Sequence, residues 1–260
     1  MKTDPKKKKM KKLILLNLFF LVILNSNAQS SKILTHENIG WYNYFGTFNL
    51  NNKFSLHTEY QWRRNDFISN WQQSLMRIGL NYKYSSFATY RIGAAWIETF
   101  PYGDISINKF DKDFTEFRIY QLLQLTSNQG FFNISHRYIT EQRWVGKYNY
   151  EESKSEDSYQ LMYRARYMLK VNVPLKGKEI IDKTPYLGFF DEIFIGFGKN
   201  VQNNIFDQNR IGLVLGYNFN KKLKLELGYI NQTIQFGRRI NNNTIIQINN
   251  GTILNLIVNI

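Results

Sequence analysis

The sequence predicts an all-β fold, a closed antiparallel transmembrane β-barrel of about 12 strands with short periplasmic turns and longer extracellular loops. Three observations support this prediction. Apolar and polar residues alternate with a period of two along most of the chain, short and long connections alternate, and Arg and Glu recur on the polar side. The 260 residues include no Cys, which excludes a disulfide scaffold, thiolate zinc sites and cysteine nucleophiles.

The amino-terminal segment has the three parts of a secretory signal peptide. Lysines at 6–9, 11 and 12 precede an apolar run at 13–24, and the small-residue site Ser26-Asn27-Ala28 follows it. We therefore predict a signal peptide over 1–28 and a single barrel domain over 29–260. Removal of residues 1–28 leaves 27 basic and 19 acidic side chains. Since much of the positive charge leaves with this segment, nucleic acid is not an expected partner.

Period-two alternation predicts the strands in order along the chain. It is clearest in residues 159–171, where Leu161 and Tyr163 alternate with Arg164 and Arg166. The first of these segments is aromatic on both faces, so its inward side cannot be assigned. Eleven segments show a strand pattern: 41–50, 54–63, 76–82, 90–96, 114–126, 132–143, 159–171, 187–195, 210–217, 223–232 and 254–260.

The strand count is completed from the connections. Residues 51–53, 84–87, 127–130 and 220–222 have the composition of tight turns, whereas 65–70, 101–113, 144–157 and 197–207 are predicted to be longer links. Bacterial single-chain barrels have an even number of strands, so residues 30–36 are assigned to a further strand. The last hairpin is predicted to turn at 241–243 rather than at 249–251.

The two faces of the strands differ in charge, and this difference favours a membrane barrel over a barrel in water. The apolar face carries almost no charge, Asp191 and His136 excepted, and each Lys or Arg at the bilayer midplane would cost about 2–4 kcal/mol. Aromatic residues gather near strand ends, as in interfacial girdles. The predicted lumen-facing residues are Arg77, Arg91, Glu116, Arg118, Arg137, Glu141, Arg143, Arg164, Arg166, Glu192, Arg210 and Glu226.

Several short motifs, in this order, resemble the bacterial outer-membrane barrels known only as domain of unknown function 2490. The motifs are Glu116-Phe117-Arg118, His136-Arg137-Tyr138, Glu141-Gln142-Arg143, Arg164-Ala165-Arg166-Tyr167, Glu192-Ile193-Phe194, Asn209-Arg210 and Gly216-Tyr217. The resemblance spans most of the chain after residue 28. It implies a barrel fold and a place in the cell outer membrane, and it implies no activity.

The predicted lumen leaves two functions open for an integral outer-membrane barrel. Guanidinium groups along the lumen would suit a small solute channel or a solute-binding barrel with an Arg/Glu-lined interior. Alternatively, long charged side chains in a barrel of this size pair with one another and fill the lumen, which would give a structural or surface-interaction barrel without transport. A secreted soluble β-sandwich that binds a ligand is the second alternative.

Catalytic and metal-binding patterns receive little support from the sequence. Ser55 with His57 and Ser135 with His136 are the close Ser–His pairs, and neither has the arrangement a nucleophile and its base require. An acidic loop patch at 151–157 is interpreted as a solvated surface loop rather than a calcium site. We expect no enzymatic activity, cofactor or metal. The expected partners are outer-membrane lipid, the barrel-assembly machinery during biogenesis, and a small solute.

Overall fold

A computed structural model describes residues 31–201 and 204–260, so the predicted signal peptide at 1–28 lies outside the described residues. Residues from Lys32 to Ile260 form one compact unit. Its strands are β1 (Lys32–Asn49), β2 (Phe54–Asn65), β3 (Asn70–Lys83), β4 (Ala88–Thr99), β5 (Phe114–Gln129), β6 (Phe132–Lys147), β7 (Ser158–Pro174), β8 (Thr184–Phe197), β9 (Phe206–Asn220), β10 (Leu223–Ile240) and β11 (Asn243–Asn259).

The described strands close into a barrel in which each strand pairs with its sequence neighbours and β1 pairs with β11. This confirms the predicted all-β closed barrel, and the described count of eleven is close to the expected number of about 12. The prediction of a wholly antiparallel sheet is wrong, because β1 and β11 pair in parallel. In an up-and-down barrel, strand direction alternates, so an odd number of strands makes the first and last run the same way.

Strand β1 explains the difference in strand count. The sequence predicts a separate strand at residues 30–36, whereas in the structure residues 32–49 form one continuous strand that pairs along its length with β11. The final hairpin turns at Asn241 and Asn242, both with positive φ, as predicted. Residues 249–251 lie within β11.

The two ends of the barrel carry different connections. One end, called here the turn end, has the connections 50–53, 84–87, 130–131, 175–183 and 221–222. The opposite end, the loop end, has 66–69, 100–113, 148–157, 198–205 and 241–242. The alternation of short and long links is therefore only partly as predicted. The link at 66–69 is shorter than expected, and 175–183 is a longer connection at the turn end.

The barrel wall separates an apolar outside from a mainly polar inside. Leu213 and Leu215 are exposed on the outer face of β9, whereas Arg210 on the same strand is buried. Arg118 is also buried, although an outward-facing Arg would be among the most exposed side chains. The described part of the chain contains no helix with the length and hydrophobicity needed to cross a membrane.

Candidate functional site

The centre of the lumen holds a cluster of charged side chains, named here the arginine–glutamate cluster. Contacts between strands that are not neighbours show that the cluster crosses the interior. Arg77 of β3 lies 3.8 Å from Glu141 of β6, and Arg137 of β6 donates a 2.9 Å hydrogen bond to Glu192 of β8. The cluster consists of Glu59, Glu116, Glu141, Glu192, Arg77, Arg118, Arg137, Arg143, Arg164, Arg166 and Arg210.

Glu141 is the centre of this cluster. Its carboxylate accepts hydrogen bonds from Arg164, at 2.8 Å from Nε, and from Arg166, at 2.8 Å from Nη1. Guanidinium nitrogens of Arg77 and Arg118 lie at 3.8 and 3.7 Å. The residue is only 1% exposed, so a single buried carboxylate lies within 4 Å of four guanidinium groups.

Three further carboxylates complete the cluster, and one of them, Glu59, lies 3.0 Å from Arg77. Glu116 accepts from Arg143 through both of its oxygens, at 2.6 Å from Nε and 3.0 Å from Nη2, which is the bidentate geometry of a strong ion pair. Arg118 also donates to Glu116. Glu192 accepts from Arg166 at 2.7 Å. These bonds link β5, β6, β7 and β8 across the inner face of the wall.

The structure places the twelve predicted lumen residues in three groups. Ten of them lie in the arginine–glutamate cluster. Arg91 lies apart and donates to the side-chain oxygen of Asn81 at 2.5 Å. Glu226 also lies apart, where it accepts from Tyr186 at 2.9 Å and from Asn255 at 2.8 Å. Lys170 donates to the same Glu226 carboxylate.

An apolar cluster fills the other side of the lumen, and the sequence analysis did not foresee it. Its buried members are Ile39, Trp41, Phe190, Val214, Ile230 and Ile253. Gly212 lies opposite Phe190 across the β8–β9 pair, and a Cβ at Gly212 would come within 2.3 Å of two atoms of the Phe190 ring. The glycine therefore provides the space that the inward-facing ring occupies. In the sequence, a glycine paired with an aromatic residue on the neighbouring strand is the signal that could indicate an inward-facing ring.

The loop between β4 and β5, residues 100–113, crosses the loop end of the barrel and is named here the strap. Tyr102 is buried and accepts a 3.1 Å hydrogen bond from Asn249 of β11. Arg238 of β10 donates to the carbonyl oxygens of Ser106 and Ile107 at 2.6 and 3.3 Å. Because β4 neighbours only β3 and β5, these contacts hold the strap against the opposite wall.

Glu37 of β1 provides a third attachment for the strap. Its Oε1 accepts a 2.9 Å hydrogen bond from the backbone N–H of Asp104. Gly103 has a φ of 76°, and a Cβ there would meet the Glu37 carboxylate. Burial raises the pKa of the Tyr102 phenol, so this group stays protonated at neutral pH and remains able to hydrogen-bond.

A cavity of about 780 Å³ lies at the loop end, beneath the strap. Its walls come from the strap, the loop-end halves of several strands and the loops after β6 and β8. Among the described residues, the charged side chains that line it are nine basic and two acidic: Arg63, Arg77, Lys109, Arg118, Arg143, Lys147, Arg164, Arg210, Arg238, Glu116 and Asp207. This composition is typical of a site for negatively charged groups.

A family model described as Protein of unknown function (DUF2490) matches residues 38–243. The chain belongs to this family. The match confirms the resemblance stated from the sequence motifs, and it covers every member of the arginine–glutamate cluster. No curated protein and no solved structure matches the chain. Membership of DUF2490 therefore identifies the family of the chain, and the family description gives no activity.

Other candidates from the sequence occupy ordinary structural positions in this DUF2490 barrel. Ser55 accepts a hydrogen bond from Asn81, and His57 contacts Glu59. In the loop before β7, the backbone N–H of Asn149 bonds to Asp157 and lowers the pKa of that carboxyl. Within residues 31–201 and 204–260, no three His, Asp or Glu side chains are grouped as metal ligands.

Several cavity residues were missed by the sequence analysis. Arg63 lines the cavity and lies on a predicted strand, but it is not among the predicted site residues. Trp41, whose ring packs against Arg63, also lies on a predicted strand and is not among them. Tyr102, Asp207 and Arg238 fall in or beside segments interpreted as loops, where no periodic pattern indicates direction. Asp207 is the second residue of β9 and bonds to Arg164.

Proposed function

We propose that the protein is an integral outer-membrane β-barrel that binds a small solute in its loop-end cavity and does not conduct through its filled lumen. Placement in a membrane is supported by one observation: large apolar side chains lie on the outside of the barrel and charged groups lie inside, the reverse of the arrangement in soluble proteins. Met76, Ile78 and Leu80, successive outward residues of β3, are 54%, 53% and 43% exposed. Soluble proteins rarely leave such a continuous apolar surface in water.

Aromatic contacts near both ends of the outer wall support the same proposal. Toward the loop end, Trp62, Trp71 and Phe100 form a chain of neighbouring rings, with the Trp71 and Phe100 centroids 5.3 Å apart. Toward the turn end, the Phe54 and Tyr82 ring centroids also lie 5.3 Å apart. Rings at two levels, with aliphatic residues between them, are typical of the two interfaces of a bilayer.

The placement in lipid can be tested with tryptophan fluorescence. We expect brominated lipids to quench a variant that keeps Trp96 as its sole tryptophan several-fold more than a variant that keeps Trp41, with the other four replaced by Phe. Trp96 is 54% exposed on the outer wall, whereas Trp41 is 3% exposed inside. Equal quenching of the two variants, or a folded protein that stays in solution without detergent, would contradict the membrane proposal.

The filled lumen supports binding without conduction. Glu141, Phe194 and Ile230 are each at most 1% exposed, and they belong to the charged and apolar sides of the interior. The guanidinium carbon of Arg210, in the arginine–glutamate cluster, lies 4.8 Å from the ring centroid of Trp41, in the apolar cluster, so the two sides pack against each other. A packed interior of this kind leaves the loop-end cavity as the place for a solute.

Planar-bilayer recording tests this second part. We expect no discrete conductance steps from the inserted wild-type protein, because paired charges and packed rings occupy the middle of the lumen. The variant that keeps Trp96 as its sole tryptophan is recorded in parallel, and its insertion is verified by quenching with brominated lipids, so that a silent bilayer does not merely reflect a failure to insert. Steps whose size changes in Arg164→Ala or Arg166→Ala would contradict the proposal and favour a channel.

The proposal includes the cellular setting expected from the sequence. The protein would be exported through a cleaved signal peptide and inserted into the cell outer membrane by the barrel-assembly machinery. Lipid would surround its apolar wall, and its role would be binding rather than catalysis.

A further inference from the structure

Among the cavity cations, Arg63 and Arg210 differ from the others in what balances their charge. Arg63 donates to the side-chain oxygens of Gln61 and Gln73, the latter at 2.6 Å. Arg210 donates to the side-chain oxygen of Gln208 at 3.2 and 3.1 Å. Within the described residues, the nearest carboxylate contact of Arg210 is Glu192 at 3.8 Å, and Arg63 makes no ion pair. Both are therefore held mainly by neutral amides.

The same two guanidinium groups share one aromatic ring. The guanidinium carbon of Arg63 lies 3.9 Å from the Trp41 ring centroid, and that of Arg210 lies 4.8 Å from it. Arg63 is 4% exposed and Arg210 is 9% exposed. Two buried like charges at one ring repel each other, and attraction to the ring offsets only part of the cost of removing them from water. An anion between them would compensate both charges.

The other arginines at the base of the cavity do not need a bound anion to balance their charge. Arg143 has its bidentate pair with Glu116, and Arg164 binds both Glu141 and Asp207. The hydrogen bonds of Arg63 and Arg210, by contrast, use at most three of the five N–H groups of each guanidinium within the part of the chain described. Donors thus remain on two adjacent cations.

We propose that the cavity binds a soluble solute that carries a doubly charged oxyanion, a phosphate monoester group, with Arg63 and Arg210 as its principal ligands. This inference rests on the proposed solute-binding function and names the chemistry of the solute. Two guanidinium forks match the several oxygens of a phosphate, whereas a single carboxylate offers fewer contacts. A volume of about 780 Å³ also leaves space for an organic portion attached to the phosphate.

The position of the cavity favours a soluble ester over a lipid headgroup. The cavity lies inside the sheet, beneath the strap, and is separated from the outer apolar surface by the barrel wall. Lys147 and Arg238, which also line it, are placed at the loop end. They would attract an anionic solute that enters between the loops.

Trp41 provides the probe for a direct test. The variant with Trp41 as its sole tryptophan, folded in an uncharged detergent, is titrated with inorganic phosphate, with glycerol phosphate and with acetate at constant ionic strength. We expect a saturable change of Trp41 fluorescence with both phosphates and none with acetate. Arg63→Gln and Arg210→Gln should each weaken phosphate binding by about tenfold or more, whereas Arg63→Lys should weaken it less.

Arg239→Gln is the matched control, because it removes one exposed positive charge next to Arg238 without touching the cavity lining. Folding of every variant is checked by its β-sheet circular dichroism. Absence of a saturable signal in the folded parent variant would overturn the proposal, as would affinities of Arg63→Gln and Arg210→Gln equal to that of Arg239→Gln. A response to vesicles containing phosphatidic acid but to neither soluble phosphate would overturn the assignment to a soluble ester.

This test separates the ligand chemistry from the broader function. If phosphate fails while the bilayer stays silent and Trp96 is quenched by lipid, the oxyanion assignment is wrong and the closed membrane barrel stands. If conductance steps appear, the proposed function itself fails, whatever the phosphate titration gives.

Discussion

Glu141→Gln is expected to lower the free energy of unfolding by about 3–5 kcal/mol, the range found when one partner of a buried ion pair is removed. The substitution keeps the shape of the side chain and removes its charge. Arg164 and Arg166 would lose their common carboxylate, and Arg77 and Arg118 would lose one of the two carboxylates that lie within 4 Å of each. Urea titration of the barrel refolded in detergent, followed by tryptophan fluorescence, measures the change.

Glu152→Gln is the control for this prediction, because Glu152 is an exposed residue of the loop at 148–157. We expect its effect to stay within about 0.5 kcal/mol. If Glu141→Gln is no more destabilising than Glu152→Gln, water must solvate the charges of the cluster arginines. The conclusion that packed side chains fill the lumen and exclude water would then be wrong. Conductance that appears in Glu141→Gln would indicate that the cluster is also the barrier to ions.

Gly251→Ala is expected to destabilise the closed barrel by about 3 kcal/mol, at the upper end of the cost of overpacking. Gly251 lies in β11 opposite Ile39 of β1, in the parallel pair that closes the sheet. A Cβ at this position would come within 1.7 Å of the Ile39 carbonyl oxygen and 2.6 Å of its carbon. Since both atoms belong to the backbone, the two strands would have to move apart, and parallel pairs are slightly less stable per residue to begin with.

Gly237→Ala offers the comparison for this variant. Gly237 lies in β10, and the nearest atom to a Cβ there is a side-chain nitrogen of Asn204 at 4.0 Å. We expect a change within about 0.5 kcal/mol, measured by urea titration, and unchanged hydrogen exchange of the β1 and β11 amides. Equal stability of Gly251→Ala and Gly237→Ala would mean that the parallel β1–β11 pair accommodates an added methyl group. The two strands would then not be tightly paired.

The strand pattern was predictable because alternation along an extended chain has a fixed physical cause. Successive side chains point to opposite faces, so the charged positions of β5 to β7 could be assigned to one side from the sequence. Residues 32–40 lacked this signal, since polar residues such as His36 and Asn38 lie on the outer face near the loop end. The sequence prediction therefore missed both the start of β1 and the odd number of strands.

The apolar side of the lumen and the strap required three-dimensional information. A period-two pattern separates two faces but does not distinguish an apolar residue that faces lipid from one that fills the interior, so alternation alone does not place Phe190 and Val214 inside. The contacts of Tyr102 and Arg238 join residues more than 100 positions apart in sequence. No local pattern encodes such pairings, and the phosphate site proposed at Arg63 and Arg210 depends on them because the strap covers the cavity.

The parallel pairing of β1 with β11 also has a consequence for the rate of folding. Asn43 and Asn255 form a 2.8 Å side-chain hydrogen bond across this pair although they are 212 residues apart. Contacts of such sequence separation carry a large loop-closure entropy and slow the search for the native state. Hairpins between neighbouring strands can form early and locally, so we expect ring closure to be the last and slowest step, during which the unpaired edges of the two terminal strands are exposed to aggregation.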